Sequence, residues 1–202
     1  MITFIDDVRD ARSLDHVIVH EVGHNWFYGI LANNERKYAW MDEGLDLYYD
    51  TRYTYEKYGD DHLSGYLPGF AKDKELTLIH YGYHTQALRH DDQAPSTSSE
   101  KLKPINYPLS AYIKPSLAFL YLEKYVGTEA FDKAMKEYYN QWKFKHPGPE
   151  DLKEVLSNEL GIDLSWLFAG ILESNKKMDY AIKKVKNDNG QTRLLIENKG
   201  EI

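Results

Sequence analysis

The chain has 202 residues, 42% of them hydrophobic and 28% charged, with no cysteine and a formal net charge of −7. That length suits one compact domain, or one domain with a small appendage, and is ample to bury a core. Without cysteine there is no disulfide framework, thiolate metal site or cysteine nucleophile, and the acidic balance argues against a nucleic-acid partner or docking on anionic lipid.

Ile2 to Ile5 alternates weakly and suits one edge strand. From Ser13, placed as an N-cap, Leu14, Val17, Ile18, Val22 and Phe27 recur at helical steps, and Gly29 with the polar run Asn33 to Lys37 ends that helix. Asp42 is expected to cap a second helix, whose apolar positions Leu45, Leu47, Tyr48 and Tyr49 lead to Tyr58 before Gly59 stops it. A further helix from Leu67 to Ile79 is compatible with the irregular middle, and Asp91 to Pro104 reads as a loop. Helical order returns at Ser110 and holds to Val126, with Gly127 as the stop. Thr128 to Trp142 is amphipathic, Pro149 opens Glu150 to Leu160 with Gly161 behind it, and Asp163 caps Leu164 to Leu172. After Lys177 the pattern changes. Apolar residues alternate on either side of Asn189-Gly190, a hairpin signal. The greasiest windows, Pro115 to Leu122 and Leu164 to Leu172, fall short of the roughly 20 residues that span a bilayer. Met1 to Asp10 carries acids where an export signal has a basic flank, so none is expected there, and the compartment stays open.

The first helix contains His20-Glu21-Val22-Gly23-His24. Four residues turn a helix through about 400° and raise it about 6 Å, so both imidazoles project from one face. That spacing lets two neutral nitrogens reach one zinc ion, while Glu21 sits one step round the helix as a general base for a metal-polarised water. A catalytic zinc wants three protein ligands and an open position. Glu43, separated from His24 by eighteen residues and placed at the start of the second helix, supplies the third. Asp46, one turn on, is a candidate partner that orients a ligating histidine.

His-Glu-x-x-His, eighteen residues, then Glu within Trp40-Met41-Asp42-Glu43-Gly44 resembles the gluzincin aminopeptidases of the aminopeptidase N family, which includes the leukotriene A4 hydrolase type. His24-Asn25-Trp26-Phe27 is similar to that family's His-Gln-Trp-Phe, and Trp40 to Gly44 to its Trp-Leu-Asn-Glu-Gly. Tyr112-Ile113-Lys114-Pro115 is similar to its Tyr-x-Lys-Gly, with proline in place of the glycine. The resemblance implies that Tyr112 stabilises the oxyanion and that Tyr107, five residues earlier, borders the substrate. It also implies a mainly α fold, the helical C-lobe of a thermolysin-like catalytic domain, over residues 1–176. Residues 177–202 would then begin a C-terminal β-domain with their hairpin. One zinc ion, a peptide substrate and the other domains of a parent protein follow as cofactor and partners.

The departures are as informative. The family holds the free α-amine of its substrate through a Gly-x-Met-Glu-Asn element, which is absent here. The expectation is therefore a fragment of a larger aminopeptidase, weakly active alone. Two alternatives stay open: a non-catalytic zinc-binding helical module, and an endopeptidase or epoxide-hydrolysing variant on the same site. His16, one turn before His20, lacks a following glutamate, and His80, His84 and His90 lie in the irregular middle, so none is assigned to a metal.

Overall fold

A computed structural model describes residues 11–59, 78–188 and 190–202. The expected edge strand at Ile2 to Ile5 and most of the expected Leu67 helix lie outside the described residues. The rest is mainly α, closed by an antiparallel hairpin. Among the described residues six α-helices follow one another: α1 Ala11–Gly23, α2 Glu43–Tyr58, α3 Leu78–Leu88, α4 Lys114–Val126, α5 Thr128–Trp142 and α6 Pro149–Leu160. Strands β1 Tyr180–Asp188 and β2 Gln191–Asn198 form the hairpin. Two segments, Pro108–Ile113 and Trp166–Leu172, wind more widely than an α-helix as π-helical turns.

The core gathers where helical spacing puts apolar side chains on one stripe. Phe131, Ala134, Met135 and Tyr138 form that stripe on α5, facing Leu152, Val155 and Leu156 of α6. Trp40, Leu45 and Tyr48 come from the region of α2, and Phe119 and Leu122 from α4. Trp40 stacks on Phe119 with centroids 6.0 Å apart and meets Phe168 edge-on at 6.3 Å. Each such fully buried side chain contributes about 1.5–3 kcal/mol of transfer free energy. Gly59, Gly127 and Gly161 end α2, α4 and α6 as expected, all at positive φ where a glycine costs least.

Polar ties hold α2 in register with its neighbours. Tyr48 donates to Glu123 Oε2 at 2.9 Å, and Arg52 grips Asp132 through two bonds of 2.6 and 3.1 Å. On the other side, Asp15 of α1 accepts from Tyr53, Lys57 and Tyr58 at 2.7–3.1 Å.

Some expectations need correction. Helix α1 begins at Ala11, so Ser13 lies inside it rather than at its cap. Ile18 and Val22, part of the helical apolar pattern, are half exposed, because α1 turns its histidine face, not its apolar stripe, toward α2. Asp42 occupies the N-cap position of α2, yet its carboxylate makes no capping bond. The hairpin carries a bulge between Ile182 and Lys184, and its apolar residues Ile182, Val185, Leu194 and Ile196 are exposed. Among the described residues no helix is long and apolar enough to cross a membrane.

Candidate metal centre

Helix α1 presents His20 and His24 from successive turns, their rings edge to face with centroids 4.6 Å apart. The His24 N–H still bonds to the His20 carbonyl at 3.2 Å, so the helical geometry persists through the second histidine. Opposite them, Glu43 opens α2. Its Oε2 lies 3.3 Å from His20 Nε2 and 3.4 Å from His24 Nε2. Two ligands held at roughly 2.05 Å on a tetrahedral ion sit about 3.35 Å apart, so both separations are those of a shared centre. His24 Nε2 and Glu43 Oε2 are buried and lack any hydrogen-bond partner. Buried polar atoms are ordinarily satisfied, and a divalent cation between them satisfies both. The residues therefore fit zinc.

The other edges of the rings are anchored. His20 Nδ1 bonds Asp50 Oδ2 at 2.8 Å, and His24 Nδ1 bonds Asp42 Oδ1 at 2.8 Å. These bonds leave each Nε2 lone pair for a metal. Asp46 lies between them, its Oδ2 3.3 Å from His20 Nδ1 and 3.7 Å from His24 Nδ1. His20, His24 and Asp46 could also surround an ion. That set would need the Nδ1 atoms, which Asp50 and Asp42 already engage, so the Nε2 set with Glu43 is the better centre. Asp42 and Asp50 were not singled out by sequence reasoning as histidine partners. Their signal was the spacing Asp42, Asp46, Asp50, which puts three carboxylates on one face of α2.

The charges are strongly coupled. Burial opposes a charged His20, but the bond to Asp50 and the adjacent Glu43 carboxylate push its pKa up to about 10. The bond to Asp42 outweighs burial at His24 and raises it to about 9. At Glu43 burial favours the neutral acid, yet the neighbouring His20 and Tyr112 hold the carboxyl below its usual range. Burial and the nearby Asp50 push Asp46 up to about 8.

Tyr112 reaches the same place from a third element. It rides on the π-helical turn and stacks on His20 with centroids 6.0 Å apart, next to Glu43. Burial first, then the neighbouring Glu43 carboxylate, raise its pKa. The close approach needs Gly44: a Cβ there would lie 2.5 Å from Pro115 Cγ and 2.9 Å from the Ala111 carbonyl. Gly23 plays the same part on α1, where a Cβ would collide with the Asp46 carboxylate. Tyr107 sits 6.1 Å from the Tyr112 ring, half-buried. Glu21 is exposed on the turn of α1 between the two histidines.

Residues 4–170 match the peptidase family M1 domain. Leucine aminopeptidase 2 of Eremothecium gossypii is 32% identical over 134 residues, 65% of this chain and 20% of that protein. Its namesake in Neosartorya fischeri is 26% identical over 208 residues, 94% of this chain and 32% of that protein. The chain thus spans about a fifth to a third of the length of these relatives. Aminopeptidase A of Legionella pneumophila, solved in complex with aspartic acid, shares the fold at a TM-score of 0.60 and 19% identity, over 91% of this chain and 19% of that one. The M1 zinc metallopeptidase of Deinococcus radiodurans does so at 0.56 and 18%, over 80% and 33%. Since the matched stretch runs through His20, His24, Glu43 and Tyr112, the chain belongs to peptidase family M1.

Proposed function

We propose that the chain is the zinc-bearing helical part of an aminopeptidase, with residues 1–176 as the catalytic portion and 177–202 as the start of a further β-domain. The observation that carries this reading is the pair of 3.3 and 3.4 Å separations at which Glu43 Oε2 meets two histidine Nε2 atoms. His20, His24 and Glu43 hold one zinc ion. Bound there, zinc supplies Lewis-acid polarisation of a peptide carbonyl and an unusually acidic water.

The chain's own groups do the rest. Asp50 and Asp42 fix the imidazole orientations through Nδ1. Glu21 takes a proton from the attacking water and returns it to the leaving amine. Tyr112 donates its O–H to the carbonyl oxygen as negative charge develops there. Its ring, stacked on His20 with centroids 6.0 Å apart, keeps that side chain beside the site. Tyr107 borders the substrate. The leucine aminopeptidase relatives support a peptide N-terminus as substrate, and no residue of this chain is assigned to the free α-amine.

Two measurements test this. Metal analysis of the zinc-loaded chain is expected to give one ion, lost in H20A and H24A. The longest natural form of the protein is expected to cleave free peptides and to spare their N-acetylated counterparts. Cleavage of both would make it an endopeptidase, and zinc without turnover would make it a binding module.

A further inference from the structure

Helix α4 opens on a buried charge that the chemistry above does not use. Lys114 is 4% exposed. Its Nζ donates to the Ser174 carbonyl at 2.8 Å, and the Tyr83 ring lies 6.0 Å away. Asp92, whose field reaches it, is already paired with Lys177 at 2.5 Å. Burial, with help from Lys177, draws the ammonium down to about 8. Burying an ammonium without a counter-ion is unfavourable. A methionine would fill the same space without that cost, so the bond to Ser174 is what distinguishes lysine here.

The bond falls at a telling place. The Lys114 backbone N–H closes the π-helical turn on the Leu109 carbonyl. Ser110 fastens the same turn to the Gln93 carbonyl at 2.8 Å, and Pro115 sets it against Gly44. Tyr112 lies inside these attachments. A π-helical turn is rare beside the α-helix it leads into, and tertiary contacts of this kind can hold it. Relaxed to α geometry, the turn would rotate Tyr112 about the helix axis and away from Glu43.

We propose that Lys114 is a positioning residue for Tyr112, its side chain clamping the wide turn to the segment that leads into the hairpin. The proposal rests on the zinc-peptidase reading for what Tyr112 then does, but not for where Tyr112 is held.

Lys114→Met, Tyr112→Phe and the double variant test it in the zinc-loaded chain. Zinc affinity, by competition with a chromogenic chelator, is expected to stay within about twofold in all of them, since none supplies a ligand. Hydrogen exchange across residues 108–114 is expected to quicken about tenfold in K114M, with α5 and α6 unchanged. An amino-acyl phosphonate, which presents a tetrahedral oxyanion, is expected to bind K114M about tenfold more weakly, approaching Y112F. The double variant should bind it no more weakly than Y112F alone. Unchanged exchange, wild-type phosphonate affinity in K114M, or additive losses would each overturn the proposal. Lys114→Gln, shorter and uncharged, gives the same readouts if the methionine variant does not fold. A wild-type chain that fails to take up zinc refutes the site reading instead, and hydrogen exchange still decides the part played by Lys114.

Discussion

In the proposed site zinc and protons would compete for the same two nitrogens. With His20 at about 10 and His24 at about 9, both imidazoles are charged at pH 7 in the metal-free chain. A metal binds only the neutral ring, so loading must expel a proton from each. Both pKa values are raised, and the sign follows. Proton competition is full below about pH 9 and fades as pH climbs through the two values, so zinc affinity rises with pH across this range. Two protons per ion correspond to about a 100-fold change in affinity for each pH unit. Asp46, at about 8, adds a third proton near neutrality if the arriving cation ionises it. Chelator competition at pH 6, 7 and 8 measures the slope directly. Calorimetry in two buffers of different ionisation enthalpy counts the released protons independently. A slope of one proton or fewer would mean that the carboxylates do not hold charged imidazoles, and the reading of the Asp42 and Asp50 bonds would fall with it. The stability of the metal-free fold carries the opposite sign: the histidines stabilise it fully below pH 6.5 and stop doing so as pH passes 9 to 10.

Removing an anchor should weaken the metal without unfolding the chain: D50N and D42N are each expected to lower zinc affinity about 10- to 100-fold while circular dichroism stays unchanged. In Y112F, zinc content should be unaffected, whereas turnover by the longest natural form should drop about 100- to 1,000-fold, read as kcat on an amino-acyl chromogenic substrate. Gly44→Ala drives a methyl group into Pro115, and urea unfolding should show a loss of about 1–3 kcal/mol. Phe119→Ala empties a fully buried site at the Trp40 stack, and the same assay should show about 3–5 kcal/mol lost.

The parts legible in the sequence were those fixed by local geometry. The His20 and His24 spacing, the glycine stops and the Asn-Gly hairpin each follow from backbone conformation within a few residues. Glu43 was expected beside the histidines because a catalytic zinc demands a third ligand, and its Oε2 lies 3.3 and 3.4 Å from their Nε2 atoms. The parts that escaped depend on distant partners. Asp50 is thirty residues from His20, and nothing near it in sequence marks it as that histidine's partner. Asp42 looked like a cap because aspartate caps helices well, but a charged imidazole is a stronger claimant than a backbone N–H. The wide turn at Pro108–Ile113 meets Gln93, Ser174 and Gly44, none of them adjacent in sequence. The half-exposed Ile18 and Val22 follow the same logic, since periodicity alone does not say which stripe faces the neighbour.

Helix α2 explains why so much chemistry can be held so tightly. Successive residues advance about 100° round a helix, so Asp42, Glu43, Asp46 and Asp50 share one side while Leu45 and Tyr48 lie on the opposite one. The first side meets the histidines, and the second is packed into the Trp40 and Phe119 core. Tyr48 and Arg52 then tie that buried side to α4 and α5. The candidate metal centre is therefore not carried on a loop that could adapt to an ion. Its acidic half is the reverse face of a core helix, so the spacing of its carboxylates is set by helix geometry before any ion arrives. Only α1 can adjust, and Asp15 fastens it to α2 through Tyr53 and Lys57 near one end while the histidines do so at the other. Pre-organisation of this kind lowers the conformational cost of binding a cation. It also makes the site's affinity depend on core packing that the ion never touches.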